Sequence, residues 1–252
     1  MISTRSRVAS HAVQLLIVAA LFGVWAALTQ ARAVNPLFLP ALPAVGASLV
    51  KLVGTGVFWS AVGVTAWTTA VAYAISVASG IAAGFFVGRS RVLTAALEPV
   101  ISGTFAIPIV LFFPLFVIIF GIGPPSKIVF GAVYGFFPIA LNTIAALSTI
   151  DPLYLRSARS LGATRAQVFR HVYLPGALPL LVTGLRIGFF ICFASVLGGE
   201  TLSSASGVGH QIARQGELLN SPPMFAWIVV VLTATLFLNL ALGVFERRVR
   251  QA

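Results

Sequence analysis

An all-α, polytopic membrane protein is the fold class this sequence predicts, and three observations predict it. Only 8% of the 252 residues are charged while 59% are apolar, against about 25% charged in an ordinary soluble domain. Uncharged stretches run from Val8 to Ala31, Leu52 to Gly88, Ile128 to Ile150 and Leu218 to Phe245, and between Arg91 and Lys127 the only charge is Glu98. Each is longer than the roughly 20 apolar residues a membrane helix needs. The 16 basic residues fall mainly between these stretches, where Lys and Arg fix orientation. The net charge of +11 is thus explained by topology, and no nucleic-acid partner is expected.

Taken in order, the first span is expected at about 11–30. Arg5 and Arg7 precede it and Ala31-Arg32-Ala33 mimics a cleavage site. Its apolar run exceeds the roughly 7–15 residues of a signal-peptide core, which favours an uncleaved anchor helix. Residues 32–51 place Pro36, Pro40 and Pro43 within eight positions, which predicts an outer-side connector with no regular helix. The second span is expected at about 60–88, with Gly54, Gly56 and Trp59 at the outer surface before it. The third and fourth follow at about 94–120 and 127–149, the fifth and sixth at about 177–199 and 224–246. Pro99, Pro108 and Pro114 mark the third span and Pro138 the fourth. Proline frees backbone carbonyls, which neighbours or a water-lined cavity must satisfy, so these helices either line a pathway or carry packing kinks.

A cytosolic N-terminus puts Arg5, Arg7, Arg89, Arg91, Arg156, Arg159, Arg165, Arg170, Arg247, Arg248 and Arg250 inside, against Arg32, Lys51, Lys127 and Arg214 outside. That asymmetry predicts cytosolic N- and C-termini. The expectation is one transmembrane domain, 1–252, with a core at about 60–246 and a polar insert at 150–175 between the fourth and fifth spans.

The insert reads I-D-P-L-Y-L-R-S-A-R-S-L-G-A-T-R-A-Q-V-F-R-H-V-Y-L-P from Ile150 to Pro175 and holds the chain's only Asp. Asp151-Pro152 is a strong helix start, because Asp caps free N–H groups and Pro suits the first turn. A helix is expected from about Leu153 to Leu161, ended by Gly162 in a left-handed conformation. Thr164 and Gln167 have capping-box spacing and start a second short helix to about Tyr173. Leu174-Pro175 is expected to stop that helix before the fifth span. A passive solvated loop needs neither paired caps nor the apolar Leu153, Leu161, Val168 and Phe169.

At these residues the chain resembles the permease subunits of bacterial ATP-binding-cassette importers. Ala158, Gly162, Leu174 and Pro175 fit the family's loop, which reads Glu-Ala-Ala, three residues, Gly, then a hydrophobic position and Leu-Pro. Its further form A-R-x-L-G-A stands here as Ala158-Arg159-Ser160-Leu161-Gly162-Ala163. Arg156 replaces the family's Glu and Ser157 its first Ala. The segments P-L-F-L-P-A-L-P-A-V at 36–45, G-R-S-R at 88–91, F-G-I-G-P-P-S-K-I at 120–128, G-L-R-I at 184–187, S-G-V-G at 206–209 and E-R-R at 246–248 resemble the sulfonate/nitrate/taurine branch.

The resemblance implies a type I importer permease fold of six transmembrane helices in the bacterial inner membrane, paired as a homodimer. It also implies two ABC ATPase subunits and an extracytoplasmic solute-binding protein. Coupling to the ATPase would fall to Asp151, Ala158, Arg159, Leu161, Gly162, Ala163, Thr164, Gln167, Val168, Phe169, Leu174 and Pro175. The solute would be a small anion such as an alkyl sulfonate, taurine or nitrate, with pyrimidine precursors or aromatic carboxylates as alternatives.

No G-x-x-x-x-G-K-[ST] phosphate loop is present, since the only lysines are Lys51 and Lys127, so ATP and Mg are expected on a separate ATPase chain and no cofactor on this one. Catalytic His or Ser motifs are absent, His11, His171 and His210 are scattered, and Cys192 is alone, which points away from an enzyme. Glu98 and Glu200 sit near span ends, where a proton- or sodium-coupled carrier would want central acids. An ATP-independent carrier or channel is the alternative reading. Arg186 is expected to snorkel to the cytosolic surface. Glu200 is expected at the outer loop or an interface. A pathway is expected from weakly polar groups, Thr65, Thr68, Ser102, Thr104, Asn142, Thr143 and Ser195, with Pro108.

Overall fold

The structure is a computed structural model that describes residues 4–251, with side chains outside 4–11, 245 and 247–251. The side chains of Arg5, Arg7, His11, Arg247, Arg248 and Arg250, on which part of the expected orientation rests, lie outside the described residues. In order, the helices are α1 Thr4–Gln30, α2 Leu42–Val53, α3 Gly56–Gly88, α4 Arg91–Ala106, α5 Phe113–Phe120, α6 Pro124–Ser148, α7 Pro152–Ser160, α8 Arg165–Val168, α9 Leu174–Leu202, α10 Val208–Glu217 and α11 Ser221–Gln251. A 3₁₀ turn at Ile109–Phe112 precedes α5, and a π-helical turn at Phe169–Tyr173 joins α8 to α9. Among the described residues, five helices are long and apolar enough to cross a membrane, or six if the bent pair at 91–120 counts as one span.

The departures from the expected elements have local causes. The third span is broken, its halves meeting at 72°. Ile107 is held extended (φ −71°, ψ 131°) because the ring of Pro108 excludes the α conformation from the residue before it. The connector at 32–51 does contain a helix, since Pro43 falls in the first turn of α2, where its missing N–H costs nothing. Leu174-Pro175 does not stop a helix. The chain runs helically from Arg165 to Leu202, because Pro175 occupies the first turn of α9 and the backbone before it widens to a π turn, Leu174 N–H reaching back to Phe169 O.

The chain divides into two compact units, residues 1–59 with 211–231, and residues 60–210 with 232–252. In the first, aromatic rings carry the packing. Trp25 meets Phe225 with centroids 5.5 Å apart and Phe58 stacks on Trp227 at 5.7 Å. Trp25 Nε1 donates to Pro40 O at 2.9 Å, and Ser221 Oγ donates to Leu37 O.

The second unit is organised around α6, whose buried positions include Phe130, Gly131, Gly135, Pro138, Ile139, Ala140 and Ile144. Small residues allow the close approach, as expected where membrane helices meet without a hydrophobic driving force. A Cβ on Gly84 of α3 would lie 2.5 Å from Thr143 Cβ and 2.7 Å from Ala140 O. One on Gly188 of α9 would lie 2.5 Å from Ile139 Cγ1. Ser76 Oγ donates across to Ala132 O at 3.0 Å, and Phe113, Phe130 and Phe137 fill the adjoining core.

Candidate functional site

The insert is built from local backbone chemistry. Asp151 Oδ1 accepts from Leu153 N–H at 2.8 Å, and Pro152 opens α7. At the other end Gly162 N–H donates to Arg159 O and Ala163 N–H to Ala158 O, each at 3.0 Å. That pair is a Schellman closure. It requires the left-handed backbone Gly162 adopts, φ +77°, which glycine tolerates best. Two residues on, the Thr164 and Gln167 side chains and main chains bond reciprocally, with Gln167 Oε1 accepting from Thr164 N–H at 2.8 Å and Thr164 Oγ1 from Gln167 N–H at 3.3 Å. Two short helices are thereby fixed at a corner by their own caps.

The insert's apolar residues divide into two groups. Val168 is buried, and Phe169 meets Phe85 of α3 edge-on at 6.4 Å. Leu161 is 87% exposed and Leu153 and Tyr154 more than 60%, so inward anchors and an outward apolar face coexist on one short element. Arg156 and Arg159 are exposed. Ala158, Leu161, Gly162, Ala163 and Gln167 with His171 and Val172 line a cavity of about 340 Å³. Asp151 and Pro175 line another of about 400 Å³ with Tyr154 and His171. Leu174 and Pro175 begin α9, so the insert is the direct extension of that helix.

Most residues expected along a pathway bond within their own helices. Thr68 is buried, with its hydroxyl unpartnered among the described residues. Thr143 is buried and bonds Ile139 O of its own helix. Asn142 bonds Pro138 O, Ser195 bonds Ile191 O, and Ser102 and Thr104 bond Pro99 O and Val100 O. Ser102, Thr104 and Pro108 are exposed on and beside α4. Thr65 is drawn into another constellation.

That constellation centres on Glu200, which is 2% exposed rather than in a loop. Thr65 Oγ1 donates to its carboxylate at 2.8–2.9 Å and itself accepts Val208 N–H at 2.8 Å. Gly209 N–H donates to Glu200 Oε2 at 2.9 Å. Gly207 makes the approach possible: its φ is +101° and a Cβ there would lie 2.3 Å from the carboxylate. Lys127 is buried too, not at an open outer surface. Its Nζ donates to Ile122 O and, at 3.3 Å, to Gly123 O, carbonyls of the turn between α5 and α6. Arg186 does not reach freely for the surface. It bonds Glu246 Oε2 and Asn239 Oδ1 of α11, each at 2.6 Å.

Sequence reasoning missed Glu200 as a buried hub because its partners stand 135 residues before it and nine after it. The available signal was an acid at the end of an apolar helix, which demands a partner, followed closely by S-G-V-G.

The comparisons with known proteins agree with this architecture. Residues 76–251 match the family described as binding-protein-dependent transport system inner membrane component. The chain is 33% identical over 235 residues to the taurine transport system permease protein TauC of Escherichia coli strain K12, covering 91% of this chain and 86% of that one. It is 26% identical over 216 residues to the putative aliphatic sulfonates transport permease protein SsuC of Bacillus subtilis strain 168, covering 86% and 78%. Among solved structures, an inward-facing form of the MetNI methionine ABC transporter superposes with a TM-score of 0.66 at 24% identity, covering 75% of this chain and 94% of that one, a likeness of fold. The chain belongs to the family of binding-protein-dependent inner-membrane components, and is a multi-pass ABC importer permease subunit for a small solute, a transport subunit and not an enzyme.

Proposed function

We propose that residues 150–175 are the joint through which a separate ATPase drives this permease. The observation that carries the reading is the Schellman corner between two capped helices, joined without interruption to α9. A rigid part that transmits force needs its short helices fixed by their own caps, and its docking face left outward, as Leu153 and Leu161 are. Asp151, Thr164 and Gln167 set the frame, Ala158, Arg159, Gly162 and Ala163 the corner, Val168 and Phe169 the anchor, and Leu174 and Pro175 the link to α9. Moving a two-state equilibrium from 1:99 to 99:1 takes about 5.5 kcal/mol, and a floppy joint would dissipate it.

The working unit is a homodimer of this single transmembrane domain, with two ATPases that hold ATP and Mg on the cytosolic side, where both termini also lie. An extracytoplasmic binding protein delivers the solute. The taurine and sulfonate relatives support a small sulfonate-like anion as that solute. Thr65, Thr68, Ser102, Thr104, Asn142, Thr143, Ser195 and Pro108 are assigned to the pathway walls or their support, with selection left to the binding protein. Co-expression with the neighbouring ATPase and binding protein tests the scheme: the ATPase is expected to co-purify and uptake of taurine to be vanadate-sensitive. Uptake by the permease alone would overturn it. Calorimetry on the binding protein with taurine, an alkyl sulfonate and nitrate tests the solute.

A further inference from the structure

We propose that a cavity between the α3–α4 turn and the insert binds a phosphate-class oxyanion, supplied by an anionic phospholipid headgroup. The cavity encloses about 430 Å³ and is lined by Arg89, Arg91, Ser148 and Tyr173 among polar residues. Its size falls in the roughly 300–1,000 Å³ range of small-ligand sites. Leu147, Ile150 and Leu155 provide an apolar wall, so cationic donors and greasy surface face one space.

The charge balance is one-sided. No carboxylate lines the cavity, and among the described residues neither Arg89 nor Arg91 forms an ion pair. Asp151, between two lining residues, turns its Oδ1 to Leu153 N–H. Arginine's planar fork suits a tetrahedral oxyanion. Ser148 and Tyr173 add hydroxyl donors.

A lipid is favoured over a free ion by what adjoins the arginines. Arg89 lies over the Phe86 ring at 4.6 Å from its centroid, and Phe86 is 51% exposed near the end of a membrane-spanning helix. A basic pocket beside the end of a span, with an exposed aromatic ring next to it, suits an acidic headgroup. The occupant would bridge the α3–α4 turn, the end of α6, α7 and the π turn through Tyr173. An effect of bound lipid on transport rests on the coupling reading above; the binding does not.

The test uses the whole permease chain without its ATPase, so that its result is independent of coupling. Lipid retained through detergent exchange is quantified by native mass spectrometry after reconstitution in phosphatidylglycerol or phosphatidylcholine. Wild type is expected to retain phosphatidylglycerol preferentially, and the Arg89→Gln/Arg91→Gln pair to lose about thirtyfold in that affinity, while Arg89→Lys/Arg91→Lys, which keeps the charges but not the fork, loses less. Melting in neutral detergent checks that the Gln pair is folded. A parallel titration with inorganic phosphate and taurine identifies the source: arginine-dependent saturation by either, with no lipid preference, keeps the oxyanion site and reassigns its occupant to a free solute. Equal retention of both lipids by wild type, with no phosphate or taurine binding, overturns the proposal. So does a folded Gln pair that retains phosphatidylglycerol unchanged.

Discussion

The Gly162 corner allows the coupling assignment to be tested by backbone strain alone. A Cβ placed on Gly162 meets no atom within 4 Å, yet φ is +77°. Substitution therefore adds no clash within the chain, and its whole cost lies in holding an L-residue in the left-handed region. That cost is about 1–2 kcal/mol for an ordinary residue, least for Asn, whose short polar side chain adopts this conformation readily, and greater for a β-branched one. At about 1.4 kcal/mol per tenfold change, Gly162→Ala should deplete the closed corner roughly five- to thirtyfold, Gly162→Val by more and Gly162→Asn by only a few-fold. The assay is the ratio of solute taken up to ATP hydrolysed in reconstituted vesicles, with membrane insertion measured alongside. Coupling should fall in the order Asn, Ala, Val while insertion and basal hydrolysis persist. Equal losses in all three would mean that the ATPase groove rejects any side chain, refuting the strain argument. Wild-type uptake by Gly162→Val would refute the coupling role itself.

Four further outcomes are expected. Glu200→Ala strands Thr65 Oγ1 and Gly209 N–H in a buried site and should destabilise by about 1–3 kcal/mol per unsatisfied group, with Glu200→Gln milder, read as melting in detergent. Gly188→Ala drives a methyl to 2.5 Å from Ile139 Cγ1 and should cost about 1–3 kcal/mol by overpacking, which adding Ile139→Ala, lacking Cγ1, partly restores. A double-mutant cycle on Arg186→Gln and Glu246→Gln should give a coupling energy near 1 kcal/mol or less, because the Arg186 side chain is 34% exposed and solvent screens the pair. Pro175→Ala returns an N–H to the start of α9 and should convert the π turn towards α geometry, read as altered cysteine cross-linking between the insert and α3, with reduced coupling.

Sequence and structure agree where information is local and part where it is not. Asp151, Gly162, Thr164 and Gln167 were legible because a cap is decided within about six residues. The spans were legible because bilayer thickness sets their length. The 72° break at Pro108 was signalled only as a proline, since kink and break share one sequence mark. Arg186 read as a snorkelling side chain because its partners are invisible locally: Glu246 and Asn239 lie 60 and 53 positions away. The misread proline at 175 is instructive, because the same residue ends one helix or begins another according to which turn it occupies.

The π turn at Phe169–Tyr173 also sets a phase. A π turn accommodates about one residue more than an α turn, and each α-helical residue advances the azimuth by about 100°. A helical wheel drawn unbroken from Arg165 to Leu202 therefore misassigns the insert by nearly a third of a revolution relative to α9. Residues that appear to share a stripe across that boundary point in different directions, and a one-residue deletion at 169–173 would turn the docking face relative to α9.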